Sequence, residues 1–186
     1  MLRIAIAEWE EWGRQVSDRE PGAAQESDLA GFPRLQAYWQ AVPEGRDIIT
    51  RNRALYRASH GALWQQDAWS AAFISFVMRS AGVDGREFPP SAAHGTSIDG
   101  MIADALAYPD QAPFIPHRVR DRVAAPGDLL CADRSGRPFE IARVSESPET
   151  TELGTSAKIG VVDADQGVGL GIVSLFHPMK AAAIAG

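Results

Sequence analysis

The stretch DAWSAAFISFVMRSAGV, residues 67–83, is the most apolar helical run in the chain, and its reading governs the rest. Trp69, Ala72, Phe73, Phe76, Val77 and Ser80 recur at helical spacing, and Ile74 and Met78 add a second apolar face. A helix that is apolar on most sides is a buried one. Ser70 stands at its start, directly after Trp69. A serine there is commonly an N-cap that satisfies orphan backbone N–H groups. Asp67 is an equally competent cap and comes earlier. If Asp67 caps, Ser70 falls in the first turn, where the helix dipole favours a developing anion. Hydroxyls and thiols are activated at such positions. The residue alone leaves both readings open.

Outward from this helix the N-terminal half reads as helical. LRIAIAEWEEWGRQV (2–16) predicts a helix, and SDREPGAAQESDLAGFP (17–33) a polar loop. LQAYWQAV (35–42) predicts a short helix ended by Pro43, and RNRALYRASHGALWQQ (51–66) has a mixed, partly helical pattern broken at Gly61. Beyond the central helix, DGREFPPSAAHGTS reads as a loop, and SIDGMIADALAYP (97–109) as a helix stopped by Pro109. After Pro126 the character changes. DLLCAD (128–133), PFEIARV (138–144), AKIGVVDAD (157–165) and GLGIVSLF (169–176) are short β-rich runs separated by Gly, Pro and Ser. Helices first and strands later make an α+β pattern rather than βαβ repeats.

The bulk numbers bound the function. A chain of 186 residues with 45% hydrophobic content fits one globular domain with a real core. The formal net charge of −6 and the lack of a basic stripe argue against a nucleic-acid binder. HRVRDR (117–122) is broken by Asp121 and reads as a solvated connection. Cys131 is the only cysteine, so no internal disulfide and no Cys-rich zinc site can form. Inside an apolar strand it reads as a buried, inert thiol. No run approaches the ~20 apolar residues of a membrane span. The start turns acidic early and lacks a signal-peptide cleavage pattern, which implies a cytoplasmic chain or one whose leader is removed.

Two further residues qualify as candidates. His94 lies in PPSAAHGTS, read as a loop between helices, where small neighbours leave its imidazole able to face a cleft. Histidine is the usual base at neutral pH, although an exposed loop histidine is the plainer reading. Asp128 follows the Pro126-Gly127 turn and is placed to cap or orient neighbouring groups. HGTS lacks the companion segments of a subtilisin-type enzyme. GVGLG (167–171) has no βαβ unit after it, and DADQG (163–167) has Ser174 where a calcium loop needs its bidentate Glu.

In order along the chain, AEWEEWG, AYWQAV, WSAAFISFVMRSAGV, FPPSAAH and APFIPHRVRDRVAAPGDLLCADR resemble an uncharacterised bacterial family, a domain of unknown function. Its hallmark is a WSAAFIS-x-VMR-x-AGV helix, then a histidine loop, then PGDL-x-C, and the resemblance runs from Ile4 to Arg134. The family is similar in layout to papain-like cell-wall hydrolases of the NlpC and CHAP type. Those set a nucleophilic cysteine at the start of a buried helix, follow it with a GD-bearing strand, and carry the catalytic histidine on a later strand.

The resemblance implies an α+β fold of papain-like type, with the 69–81 helix packed across a small antiparallel sheet. It implies a single domain over 1–186, with a divergent β-rich part from 135 onward. It further implies a hydrolase-like domain that cleaves peptide or amide bonds of peptidoglycan. Ser70 takes the nucleophile position, Trp69 and Asp128 support it, and His94 is nominated as base. No metal or organic cofactor is implied. The partner is peptidoglycan or a peptide, which places an exported form in the periplasm or cell envelope. Two departures stand against this: the nucleophile is serine, and there is no histidine between Arg118 and Phe176. His177 comes late for the family's strand histidine. The alternative reading is an inactive module of the same fold that binds wall fragments or a protein.

Overall fold

Helix α2 (Phe32–Trp39) begins at a proline, since Pro33 occupies its first turn. Proline is tolerated there because a first-turn N–H has no intrahelical partner. The sequence reading put Pro33 in a loop and started this helix at Leu35, and the tolerance explains the shift. The computed structural model describes residues 1–14, 31–59, 63–64, 67–117, 123, 125–133, 157–161 and 174–178. These include α1 (Leu2–Glu11), α3 (Gly45–Ser59), α4 (Ser70–Ser80) and α5 (His94–Ala107). The strands are β1 (Phe114–His117), β2 (Leu129–Asp133), β3 (Ala157–Val161) and β4 (Ser174–Pro178). The protein is therefore α+β, helical first and β-rich later, as its sequence predicts. The strand expected at 138–144 lies outside the described residues, as do the outer parts of those expected at 157–165 and 169–176.

The chain divides into two compact units: Met1–Val83 with Pro90–Ala92, and Asp84–Pro89 with Ala93–Gly186. The core of the first unit is built by Leu35, Tyr38 and Trp39 of α2, Ile48 and Ile49 of α3, Ala72 of α4, and Val42, Leu63 and Trp64 from the connections between helices. Burial of each large side chain contributes roughly 1.5–3 kcal/mol. α3 starts six residues earlier than its mixed pattern suggested. Its inward stripe carries a polar residue, Asn52, only 2% exposed, which breaks the apolar signal. Asn52 is fully engaged. Its Nδ2 donates to Ile48 O at 2.9 Å and to Asp67 Oδ2 at 2.9 Å, and its Oδ1 accepts from Trp64 N–H at 2.8 Å. Trp64 has φ +62, a left-handed conformation that costs a bulky residue roughly 1–2 kcal/mol. The Asn52 bond and the buried indole hold it there.

In the second unit the sheet order is β1-β4-β2-β3, every neighbouring pair antiparallel. β1 was not read as a strand because Pro116 interrupts it. Proline lacks a ladder N–H, and β1 tolerates it as an edge strand. The helix that lies against this sheet is α5, which meets β1 and β3. α5 buries Ile98, Met101, Ile102 and Ala105 along one stripe. Among the described residues, no helix is long and apolar enough to cross a membrane.

Candidate functional site

Ser70 is the first residue of α4, and Trp69 is the N-cap. Trp69 is in helical conformation at φ −83 and ψ −5, and no side chain caps the helix. Asp67 does not cap. Its carboxylate accepts from Asn52 and from the Arg51 guanidinium, both on α3. Neither Asp67 nor Ser70 is the N-cap: helical geometry already begins at Trp69, which leaves Ser70 in the first turn. Phe73 N–H bonds Trp69 O at 2.9 Å, closing the first helical ring. The N–H groups of Ala71 and Ala72 stand ahead of that ring and have no carbonyl behind them within the helix. Both residues are buried, at 4% and 0% exposure. Farther along, Ser75 ties α4 to the 90–92 segment, where Ser91 N–H donates to its Oγ at 3.3 Å.

Trp69 belongs to an aromatic cluster. It stacks on Trp12 with centroids 6.2 Å apart and planes at 16°, and meets Tyr38 at 5.9 Å and Phe73 edge-on at 6.0 Å. Such pairs contribute ~0.5–1.5 kcal/mol each beyond their buried area. Tyr38 is fully buried, and its hydroxyl donates to Glu8 Oε2 at 2.5 Å while accepting from Trp12 Nε1 at 3.0 Å. Burial, and then the Glu8 carboxylate, push its phenol well above the usual tyrosine range. Arg34 reaches the same carboxylate at 2.6 Å and Glu11 at 2.9 Å. This cluster was invisible in sequence, because Glu8 and Arg34 are 26 residues apart and on different helices.

The other candidates belong to the second unit. His94 is not a loop residue. It is the first residue of α5 and is 7% exposed. Pro89 and Pro90 keep the preceding segment extended, with Ala93 at φ −120 and ψ 124, so the helix begins as soon as they are passed. Asp128 is wholly buried and braces the turn before β2. Its N–H bonds Ala125 O at 3.0 Å, and its Oδ2 accepts from Ala125 N–H at 2.7 Å. Gly127 sits at φ +96, the left-handed position that a turn with proline before it requires. Asp128→Ala leaves the half-buried Ala125 N–H without this partner, and the expected cost is ~1–3 kcal/mol in urea unfolding. A change below ~0.5 kcal/mol, the size usual for surface substitutions, would remove this role.

Cys131 on β2 is buried, and burial raises its thiol well above the ordinary cysteine range. The folded chain therefore keeps a proton that the unfolded chain releases. Stability from this site is complete below the unfolded-state pKa of about 8.5 and falls as pH rises above it. Cys131 is expected to resist a thiol reagent in the native protein at pH 8 and to react on unfolding. Rapid native labelling would contradict its burial.

His177 lies on β4, where it pairs with Ile115 of β1. β4 also pairs with β2, Leu129 opposite Phe176. The last strand is thus inserted beside the GDL strand, and a histidine late in the sequence stands in the middle of the sheet. His117 ends β1, and His60 lies outside the described residues.

The described residues form an α+β protein. The chain belongs to the family of uncharacterized proteins conserved in bacteria, DUF2272, whose profile matches residues 26–172. Helices α2 to α5 and strands β1 to β3 fall within that span, whereas α1 precedes it and β4 follows it. No curated protein and no solved structure matches the chain.

Proposed function

We propose that the chain is a cell-wall-associated, hydrolase-like domain of papain-like layout that cleaves peptide or amide bonds of peptidoglycan. The observation that carries this reading is Ser70 at the first position of α4, ahead of two buried residues with first-turn N–H groups. In the proposed reaction Ser70 Oγ attacks the amide carbonyl carbon, and His94 takes the hydroxyl proton. The N–H groups of Ala71 and Ala72 receive the oxyanion, in the manner of an oxyanion hole. The imidazolium returns the proton to the leaving amine, and water then hydrolyses the acyl-serine.

One sequence fact favours a second reading, a binding module without chemistry: no histidine occurs between Arg118 and Phe176. A second candidate base is His177, on the strand that pairs with β1 and β2. The test is incubation of the purified protein with peptidoglycan, with released fragments read by mass spectrometry. Cleavage that needs Ser70 supports the hydrolase. Retention on insoluble wall material without cleavage supports the binding module. His94→Gln and His177→Gln, assayed in parallel, identify the base as the one whose loss stops cleavage.

A further inference from the structure

Helix α1 contains no fully buried residue. A helix of 10 residues is marginal by itself, so α1 depends on what it docks against. It docks by inserting one carboxylate. Glu8 Oε2 is received jointly by Arg34 Nη1 at 2.6 Å and by the Tyr38 hydroxyl at 2.5 Å, and the Glu8 side chain is only 15% exposed. Beside it the Trp12 indole stacks on Trp69 and donates to Tyr38 Oη. Glu11 meets the second Arg34 nitrogen. The receiving groups, Arg34, Tyr38 and Trp69, lie within the family span of 26–172, and the inserted groups lie outside it. A guanidinium, a buried hydroxyl donor and an aromatic face together form a receptor for a carboxylate attached to a flat or apolar group. Trp69 immediately precedes Ser70.

We propose that Arg34, Tyr38 and Trp69 form a carboxylate-binding site, occupied in cis by Glu8 and Trp12 of α1, from which a peptide bearing a free carboxylate displaces that helix. This deepens the proposed function by naming the part of the substrate that the first unit holds, and it rests on that reading for the choice of peptide. α1 then acts as a tethered competitor, and the apparent affinity for the peptide is reduced by the fraction of molecules in which α1 is docked.

The test uses the full chain with Ser70→Ala, so that nothing is consumed. The probes are a synthetic stem peptide ending in a free carboxylate and the same peptide ending in an amide, titrated by calorimetry. Glu8→Gln combined with Trp12→Ala is expected to tighten carboxylate binding at least tenfold and to leave amide binding weak. Arg34→Met is expected to abolish the distinction between the probes. Hydrogen exchange should show residues 1–14 deprotected in the double variant and on peptide binding, with α2 and α4 still protected. Equal binding of the two probes to the double variant overturns the proposal. So does an α1 that exchanges only with global unfolding. Binding without Ser70-dependent cleavage in the parent protein would sink the hydrolase reading and leave this site standing, and the reverse would sink this site alone.

Discussion

Replacing Ser70 with alanine is expected to lower the release of peptide fragments from peptidoglycan by about 10³-fold or more, the scale seen when a serine hydrolase loses its nucleophile. The first-turn N–H groups would remain, so any residual rate measures what they and binding contribute without covalent chemistry. Equal release by the parent and Ser70→Ala would end the Ser70 mechanism. Ser70→Cys separates the chemical role from a packing role by a second route. A thiol at a helix N-terminus ionises below the usual ~8.5, because the dipole favours the thiolate. Cys131 is buried, so the introduced thiol would be the one that reacts in the native protein. Its labelling rate against pH should rise with a midpoint below ~8. A midpoint at or above the free-thiol value would mean that the start of α4 does not activate a nucleophile.

Gly45→Ala is expected to destabilise the first unit by about 3 kcal/mol or more, even though helix propensity alone argues for a gain of up to ~1 kcal/mol. A Cβ at Gly45 would lie 1.6 Å from the carbonyl oxygen of Trp39 and 2.5 Å from its carbon. Those are backbone atoms of a residue 1% exposed, so no side chain can rotate aside. Either α3 moves off α2, or the end of α2 distorts. Movement of α3 would also carry Asn52 away from Asp67 and Trp64, whose backbone conformation depends on it. The packing and propensity arguments give opposite signs, and the urea midpoint decides between them. A midpoint that is unchanged or raised, at constant m-value, would show that α2 and α3 do not approach this closely.

The α+β order and the central helix were legible because both rest on local signals. Trp69 to Met78 repeat apolar residues at helical spacing, and the GDL strand follows an unmistakable Pro-Gly turn. Element starts were harder. α2 and α5 each begin three residues before their predicted position, and α3 six. In each case the early turn goes with something other than periodicity: a first-turn proline in α2, an extended Ala93 that lets α5 begin at His94, and a polar residue on the inward face of α3. The strand β1 was hidden by Pro116, which is acceptable only because tertiary order places it at an edge.

The candidate site was legible residue by residue but not as an assembly. Ser70, Trp69 and Asp128 stood out because each follows a short-range pattern. His94 was found by residue type, and its surroundings were misjudged, since burial depends on what packs against a segment and not on its small neighbours. His177 was set aside for arriving late, and only strand insertion between β1 and β2 gives it a central position. The Glu8, Arg34 and Tyr38 cluster left no trace, because its members are joined by helix docking.

Sequence by itself therefore determined the apolar helix, the change from helix to strand, the turn before β2 and the family to which the chain belongs. Tertiary structure set Ser70 in the first turn of α4 after an N-cap at Trp69, and packing gave the rival Asp67 carboxylate to α3. It also decided that a carboxylate from α1 sits on Arg34 and Tyr38. The physical reason is common to both: periodicity and turn chemistry act within a few residues, whereas the partner of a charged or buried polar group is chosen by packing between elements far apart in the chain.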